Sequence, residues 1–230
     1  FAPESQLSGI EYLDFMPAVW YHRSFELRSD WAGQRVFLNF GAVDYDCQAW
    51  VNGQPVGRHY GGSVSFSFEI TDALQTGENQ LVVEARDDIR SGLQPAGKQS
   101  STFANDGCCK YTRTTGIWQT VWLEARAETH LSSVHIVPDF DNGRFFFTPE
   151  LDGNPSGYNL RIRVLAEGRE ITQAYGSART GIPMMTDLPY VRAWSPEDPF
   201  LYELVFELVK NGEVTDRVES YAGLRKVHIE

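Results

Sequence analysis

The groups able to do chemistry in these 230 residues are 31 Asp and Glu, 5 His and 3 Cys. Two close carboxylate pairs stand out, Asp87-Asp88 and Asp44-x-Asp46. Paired carboxylates can serve as general acid and as base or nucleophile. Adjacent residues on a strand point to opposite faces, which disfavours a shared site for Asp87 and Asp88. Asp44 and Asp46 can share a face, but they flank a turn. His22, His59, His130, His135 and His228 are scattered without ligand spacing, and each reads as a surface or satisfied histidine. There is no G-x-S-x-G elbow and no C-x-x-C pair for a metal. The string Asp139–Gly143, DFDNG, resembles the start of an EF-hand loop. It is one residue short and lacks the distal Glu and flanking helices, so it reads as a hairpin turn. The expectation is therefore no catalytic residue, no metal and no cofactor held by this chain.

An odd number of cysteines, two of them adjacent, is no disulfide framework. Cys47 alternates with Ala49 and Val51, as a core thiol would. The vicinal Cys108-Cys109 has no assigned role. Net charge is −11 and the isoelectric point is about 4.9, which opposes attraction to phosphate backbones and excludes nucleic acid as a partner. No apolar run approaches the ~20 residues of a membrane helix. The start, FAPESQLSGI, has neither an initiator Met nor a basic-then-apolar signal, so the chain reads as a fragment or processed product. Without a signal or a disulfide framework, a cytoplasmic location is favoured.

The elements that must position any site are strands. Aromatics make up 13% of the chain, and they favour strands and fill cores; a minority could be carbohydrate platforms. Val64, Phe66, Phe68 and Ile70 alternate with polar residues, as in a strand with one buried face. Asn52-Gly53 supplies the positive φ angles of a two-residue hairpin turn. Thr71–Leu74 reads as one capped helical turn. Val19–Leu27, Val36–Phe40 and Leu81–Ala85 give further strands. From about Asp87 to Ile117 neither period appears, and loops this long are often functional. Trp118–Ala125 restores alternation. A second series follows from His130, with Leu160, Ile162 and Val164 inward and Arg161 and Arg163 outward. Residues 167–188 suggest two short strands between Gly and Pro turns. The alternation at Tyr202–Val209 then ends in an Asn211-Gly212 turn. No helix longer than a turn or two is predicted, and short strands at this spacing mean β-sandwiches.

The string VDYDCQAWVNGQPVGRHYGGSVSFSFEITDAL, followed by GENQLVV, resembles the N-terminal sandwich domain of glycoside hydrolase family 2, which includes β-galactosidases and β-glucuronidases. That domain runs through V-W-V-N-G, G-x-H-x-G-G-x-x-x-F, I-T-D-x-L and G-x-N-x-L-x-V in this order. WYHRSF resembles its opening strand and YTRTTGIWQTVWLE its closing one. Trp194–Tyr202, WSPEDPFLY, is similar to a signature of the family's second, immunoglobulin-like domain, and YAGLRKVHIE to the strand that leads into the catalytic barrel. The resemblance implies an all-β chain of two antiparallel sandwiches, a jelly roll over residues 1–128 and an immunoglobulin-like domain over 129–230. The family's two catalytic Glu residues lie on a (β/α)₈ barrel, and the acid/base Glu follows an Asn. No Asn-Glu dipeptide occurs here, and a barrel alone takes ~250 residues. The resemblance thus covers two non-catalytic domains, with the barrel of the same parent chain and carbohydrate as partners, and it leaves room for an oligomeric parent. In the β-galactosidase members an acidic residue after the strand matching LVVEAR contacts substrate. Asp87 or Asp88 occupies that place. The parent would cleave terminal β-glycosides, β-galactosides before β-glucuronides. The alternative is a stand-alone carbohydrate-binding module that grips glycans through Trp20, Trp31 or Trp122.

Overall fold

The computed structural model describes residues 3–102 and 109–227. Cys108 and His228 lie outside the described residues. The chain forms two compact units, one through Ala125 and one from Arg126 onward. Among the described residues there is no α-helix, only strands and three single 3₁₀ turns.

In the first unit, β1 (Val19–Glu26), β7 (Glu78–Arg86), β4 (Asp46–Val51) and β5 (Gln54–Tyr60) form one antiparallel sheet in the order β1-β7-β4-β5. A second sheet has the order β6-β2-β9, from Phe66–Glu69, Arg35–Phe40 and Val121–Arg126. β3 (Val43–Asp44) pairs with β8 (Gly116–Ile117) in a short ribbon. The inward side chains are those that alternate in the sequence. Cys47, Ala49 and Val51 on β4 and Val83 and Ala85 on β7 are buried against Val36, Leu38 and Phe40 of β2. The period of 2 places all of them on one face, and burying that apolar face is what joins the two sheets. At Gly57 of β5 the first sheet lies tight against Phe68 of β6. A Cβ added there would stand 2.2 Å from the Phe68 ring, so only glycine fits without displacing it.

The Asn52-Gly53 turn between β4 and β5 has φ of 51° and 78°, as a type I′ turn requires. Asn52 does more than tolerate that backbone. Its Nδ2 donates to Ala73 O and Asn79 Oδ1 at 2.8 Å each, and its Oδ1 accepts from Gln80 N at 2.9 Å. The hairpin is thereby pinned to the 3₁₀ turn Thr71–Ala73 and to β7. Val64 departs from the sequence expectation. It is 64% exposed, because pairing with β2 begins only at Phe66 and the preceding residues are still loop.

The second unit packs β10 (His130–Asp139), β11 (Arg144–Asp152) and β14 (Met184–Asp187) as one sheet. Its other sheet has the order β13-β12-β15-β16, from Arg169–Ser177, Tyr158–Ala166, Tyr202–Lys210 and Glu213–Ala222. Phe145 and Phe147 of β11 meet Tyr202 and Phe206 of β15 edge-on, with centroids 5.6 Å apart in each pair. Such edge-to-face contacts add to simple burial. DFDNG is a hairpin turn, in which Asp139 accepts from Asn142 N and Nδ2. The two Pro of Trp194–Tyr202 bracket a turn closed by Asp198 N donating to Ser195 Oγ at 3.0 Å. Tyr202 Oη then accepts from Arg192 N at 2.8 Å and fixes the approach to β15.

Candidate functional site

Asp87 follows the last residue of β7, where the central strand of the first sheet runs out. Asp44 ends β3, and the N-terminal segment brings Glu4 to the same place. Glu4 and Asp87 are buried and Asp44 is half-buried. Gln99, from the long loop after β7, ties the group together. Its Nε2 donates to Asp44 Oδ2 at 3.0 Å and to Asp87 Oδ2 at 3.3 Å, while its Oε1 accepts from Thr114 N at 2.8 Å. Gln94 donates to Asp87 Oδ1 at 2.5 Å. Glu4 Oε1 accepts from Thr115 N at 3.1 Å, and its Oε2 is buried without a hydrogen-bond partner.

These neighbours shift the ionisation of the cluster. Burial, then the negative charges of Asp87 and Glu4, push the Asp44 carboxyl up to about 7. Asp87 is raised too, by burial above all, with the amides of Gln99 and Gln94 acting the other way. Gly62 lets the backbone pass close to this point. A Cβ there would stand 2.4 Å from Asp44 Oδ1, and Trp118 Nε1 donates to Gly62 O at 2.7 Å.

The loop that carries Gln94 and Gln99 has no periodicity in the sequence, yet it is fastened at several points. Ser100 N donates to Tyr111 O and Tyr111 N to Lys98 O. The buried Arg113 donates to Thr102 O and Leu13 O, and its guanidinium lies 4.1 Å from the Phe15 ring centroid. The Arg90 guanidinium lies 3.7 Å from the same centroid. One aromatic ring thus collects two cations, which holds the N-terminal segment to both ends of the loop.

The carboxylates paired in sequence are not the ones paired in space. Asp88 is exposed, whereas Asp87 is buried. Asp46 turns to Arg58, with Nε–Oδ1 at 2.8 Å and Nη2–Oδ2 at 2.6 Å. The partners of Asp87 are Asp44 and Glu4, which no local spacing could reveal. The only sequence sign of them is the buried polar character of a loop rich in Gln and Gly. Among the histidines, His22 meets Gln80 and the buried His130 meets Ala127 O. His59 stacks on Phe66 at 3.9 Å, and its Nε2 is buried without a partner. Of the tryptophans expected as sugar platforms, Trp31 packs on the core. Trp122 is exposed and donates to Glu124, and Trp20 is exposed and stacked on Trp50. Cys109 is free and exposed. No group of three or more His, Cys, Asp or Glu among the described residues has metal-holding geometry.

Residues 10–126 match the sugar binding domain of glycosyl hydrolases family 2, and residues 129–225 match a second domain of glycosyl hydrolases family 2. The chain belongs to glycoside hydrolase family 2. It is 23% identical to a β-galactosidase of Thermoanaerobacter pseudethanolicus over 93% of its own length and 29% of that protein's. It is 27% identical to the β-galactosidase large subunit of Latilactobacillus sakei, over 94% of the chain and 33% of the relative. A β-glucuronidase of Bacteroides fragilis is 26% identical over 90% of the chain and 31% of its own length. The chain therefore spans about a third of the curated relatives it matches. The fold agrees with solved structures. A β-glucuronidase from Ruminococcus gnavus superposes with a TM-score of 0.77 at 21% identity, covering 94% of this chain and 37% of the other. A β-glycosidase from Bacteroides vulgatus gives 0.73 at 21%, covering 93% and 26%.

Proposed function

We propose that this chain is the non-catalytic N-terminal part of a family 2 glycosidase. Its first domain, residues 1–128, forms one wall of a sugar cleft, and its second, residues 129–230, supports a catalytic barrel that continues the same parent chain. Hydrolysis by this family's chemistry needs two carboxylates across the scissile bond. The carboxylates at the end of β7 are engaged by the amides of Gln94 and Gln99, and on this reading the chain alone turns over no glycoside. What carries the reading is the end of β7, where the two adjacent acids divide their work. Asp87 is locked inward and holds the loop. Asp88 stays exposed, with Asp88 O capping a turn at Ser91. Asp87 is a positioning residue and Asp88 supplies the carboxylate that meets a sugar hydroxyl. The relatives include both β-galactosidases and β-glucuronidases, and terminal β-galactosides are the substrate we favour.

The test uses the parent chain with Asp88→Asn and Asp87→Asn, assayed on nitrophenyl β-galactoside and β-glucuronide. Asp88→Asn is expected to lower kcat/KM by about tenfold or more, mainly through KM, with the fold unchanged. Asp87→Asn is expected to loosen the loop and to raise its protease sensitivity. Unchanged kinetics in Asp88→Asn would overturn the assignment. A rate from the 230-residue chain that tracks the protein through repurification would overturn the non-catalytic reading.

A further inference from the structure

Residues 3–15 are fastened at both ends to the loop after β7, and by opposite means. Glu4 is the only buried residue among them. Leu7, Ile10 and Leu13 leave 72%, 66% and 59% of their surface in solvent. An apolar anchor holds at any pH, whereas a buried carboxylate is costly unless it is paired or protonated. Glu4 has one donor, Thr115 N at 3.1 Å, and its Oε2 has none. The far end is held by groups that keep their charge across the neutral range. Arg113 donates to Leu13 O at 2.6 Å, and the Arg90 and Arg113 guanidinium groups lie over the Phe15 ring.

We propose that residues 3–12 form a clasp on the loop after β7, closed while a proton remains among Glu4, Asp44 and Asp87, opened when all three are ionised, and hinged at residues 13–15. Glu4 is then a positioning residue for that loop. The topology decides which acid yields. Asp44 ends β3 and Asp87 follows β7, so strand pairing holds both in place. Glu4 sits on a segment with no strand and no apolar anchor, so it is the one that leaves.

The groups around Glu4 offer it no countercharge. Asp44 faces it from β3, and Asp87, with Asp88 beside it, from the end of β7. From β1 comes the Tyr21 phenol, which burial keeps above its usual range and therefore neutral. Cys47 of β4 lies beyond it, its thiol pushed up to about 12 by burial. Arg113 is turned to the carbonyls of Leu13 and Thr102. Burial first, and then neighbouring charge that includes Glu4, pushes the Asp44 carboxyl up to about 7. Opening removes the Glu4 charge, so Asp44 ionises more readily with the clasp off. Opening and proton release are thereby coupled, and the clasp weakens as pH rises through about 7. The effect on turnover of the parent rests on the proposed function, but the clasp itself does not.

Hydrogen exchange of the 230-residue chain, corrected for the intrinsic effect of pH, reads the clasp at the Thr115 amide, which Glu4 Oε1 covers. Between about pH 5.5 and about pH 8.5 this amide should lose at least about tenfold in protection, while the amides of β4 and β7 keep theirs. Glu4→Gln retains the acceptor and cannot ionise, so Thr115 should stay protected at both values. Glu4→Ala should leave it unprotected at both. Constant protection of Thr115 in the unaltered chain overturns the proposal. So does a loss shared by β7, which would mark opening of the whole unit, or a Glu4→Gln chain that still responds to pH. Should Gln fail to seat and leave Thr115 unprotected throughout, Asp44→Asn decides. Protection kept at about pH 8.5 in that variant sustains the clasp, and protection lost there overturns it.

Discussion

Replacing Asp44 with Asn tests the carboxylate cluster directly. The Asp44 carboxyl titrates near 7 in the fold and near 3.9 in an unfolded chain. Between those values the folded state holds a proton that the unfolded state has released. Stability is therefore fully present below pH 4 and is lost as pH rises through 7. From pH 5 to 7 the full slope is about 2.7 kcal/mol. Asp44 is only half-buried, and solvent screening reduces this to about 1–2 kcal/mol. Asp44→Asn keeps the shape and an oxygen that can accept from Gln99, but it cannot ionise. Relative to the difference at pH 5, the variant should gain about 1–2 kcal/mol on the parent by pH 8, roughly half a molar in urea midpoint. Trp20, Trp31, Trp50, Trp118 and Trp122 all lie in the first unit, so indole fluorescence reports its unfolding. Other groups titrate in this range, but they are common to both proteins, and the difference of differences isolates Asp44. The reasoning is refuted if the two unfolding midpoints stay parallel across pH 5–8, or if the gap closes as pH rises.

Two stability changes follow from single side chains. Asn52→Ala removes three hydrogen bonds and leaves a non-glycine residue without its polar side chain at φ 51°, so it should cost about 2–4 kcal/mol, read as a lower unfolding temperature of the first unit. Asn52→Gly should recover only the backbone part of that loss. Tyr202→Phe leaves Arg192 N without its acceptor in the second unit, and a cost of about 1–2 kcal/mol is expected in urea unfolding followed by circular dichroism. A neutral Tyr202→Phe would show that solvent satisfies Arg192 N as well as the phenol does.

Among the fastenings of the loop between Asp87 and Ile117 is one amide, Gln99, shared between two acids whose charge depends on pH. The Gln99 bridge meets the least opposition between the two acids while at least one of them carries a proton. Ionising both places two carboxylate charges on the Gln99 Nε2, with Gln94 the further amide donor to Asp87.

Local sequence determined most of the fold. Alternation at Cys47–Val51, Tyr202–Leu208 and Leu160–Val164 marks the buried faces because strand geometry sends successive side chains to opposite sides. Asn52-Gly53 and Asn211-Gly212 mark hairpins because few other residues accept their φ. The ordered motifs pointed to the two family 2 domains that residues 10–126 and 129–225 match. The tertiary structure alone decided which acids meet. Asp44 and Gln99 are 55 positions apart and Thr115 and Glu4 are 111 apart. Their approach depends on where β3, β7 and the N-terminal segment end against one another, and no short-range pattern encodes it. The same holds for Trp20 and Trp50, which lie on strands that never touch and meet only because β7 pairs between them. Spacing along the chain sets which face a side chain takes, but the register of long-range pairing sets its neighbours.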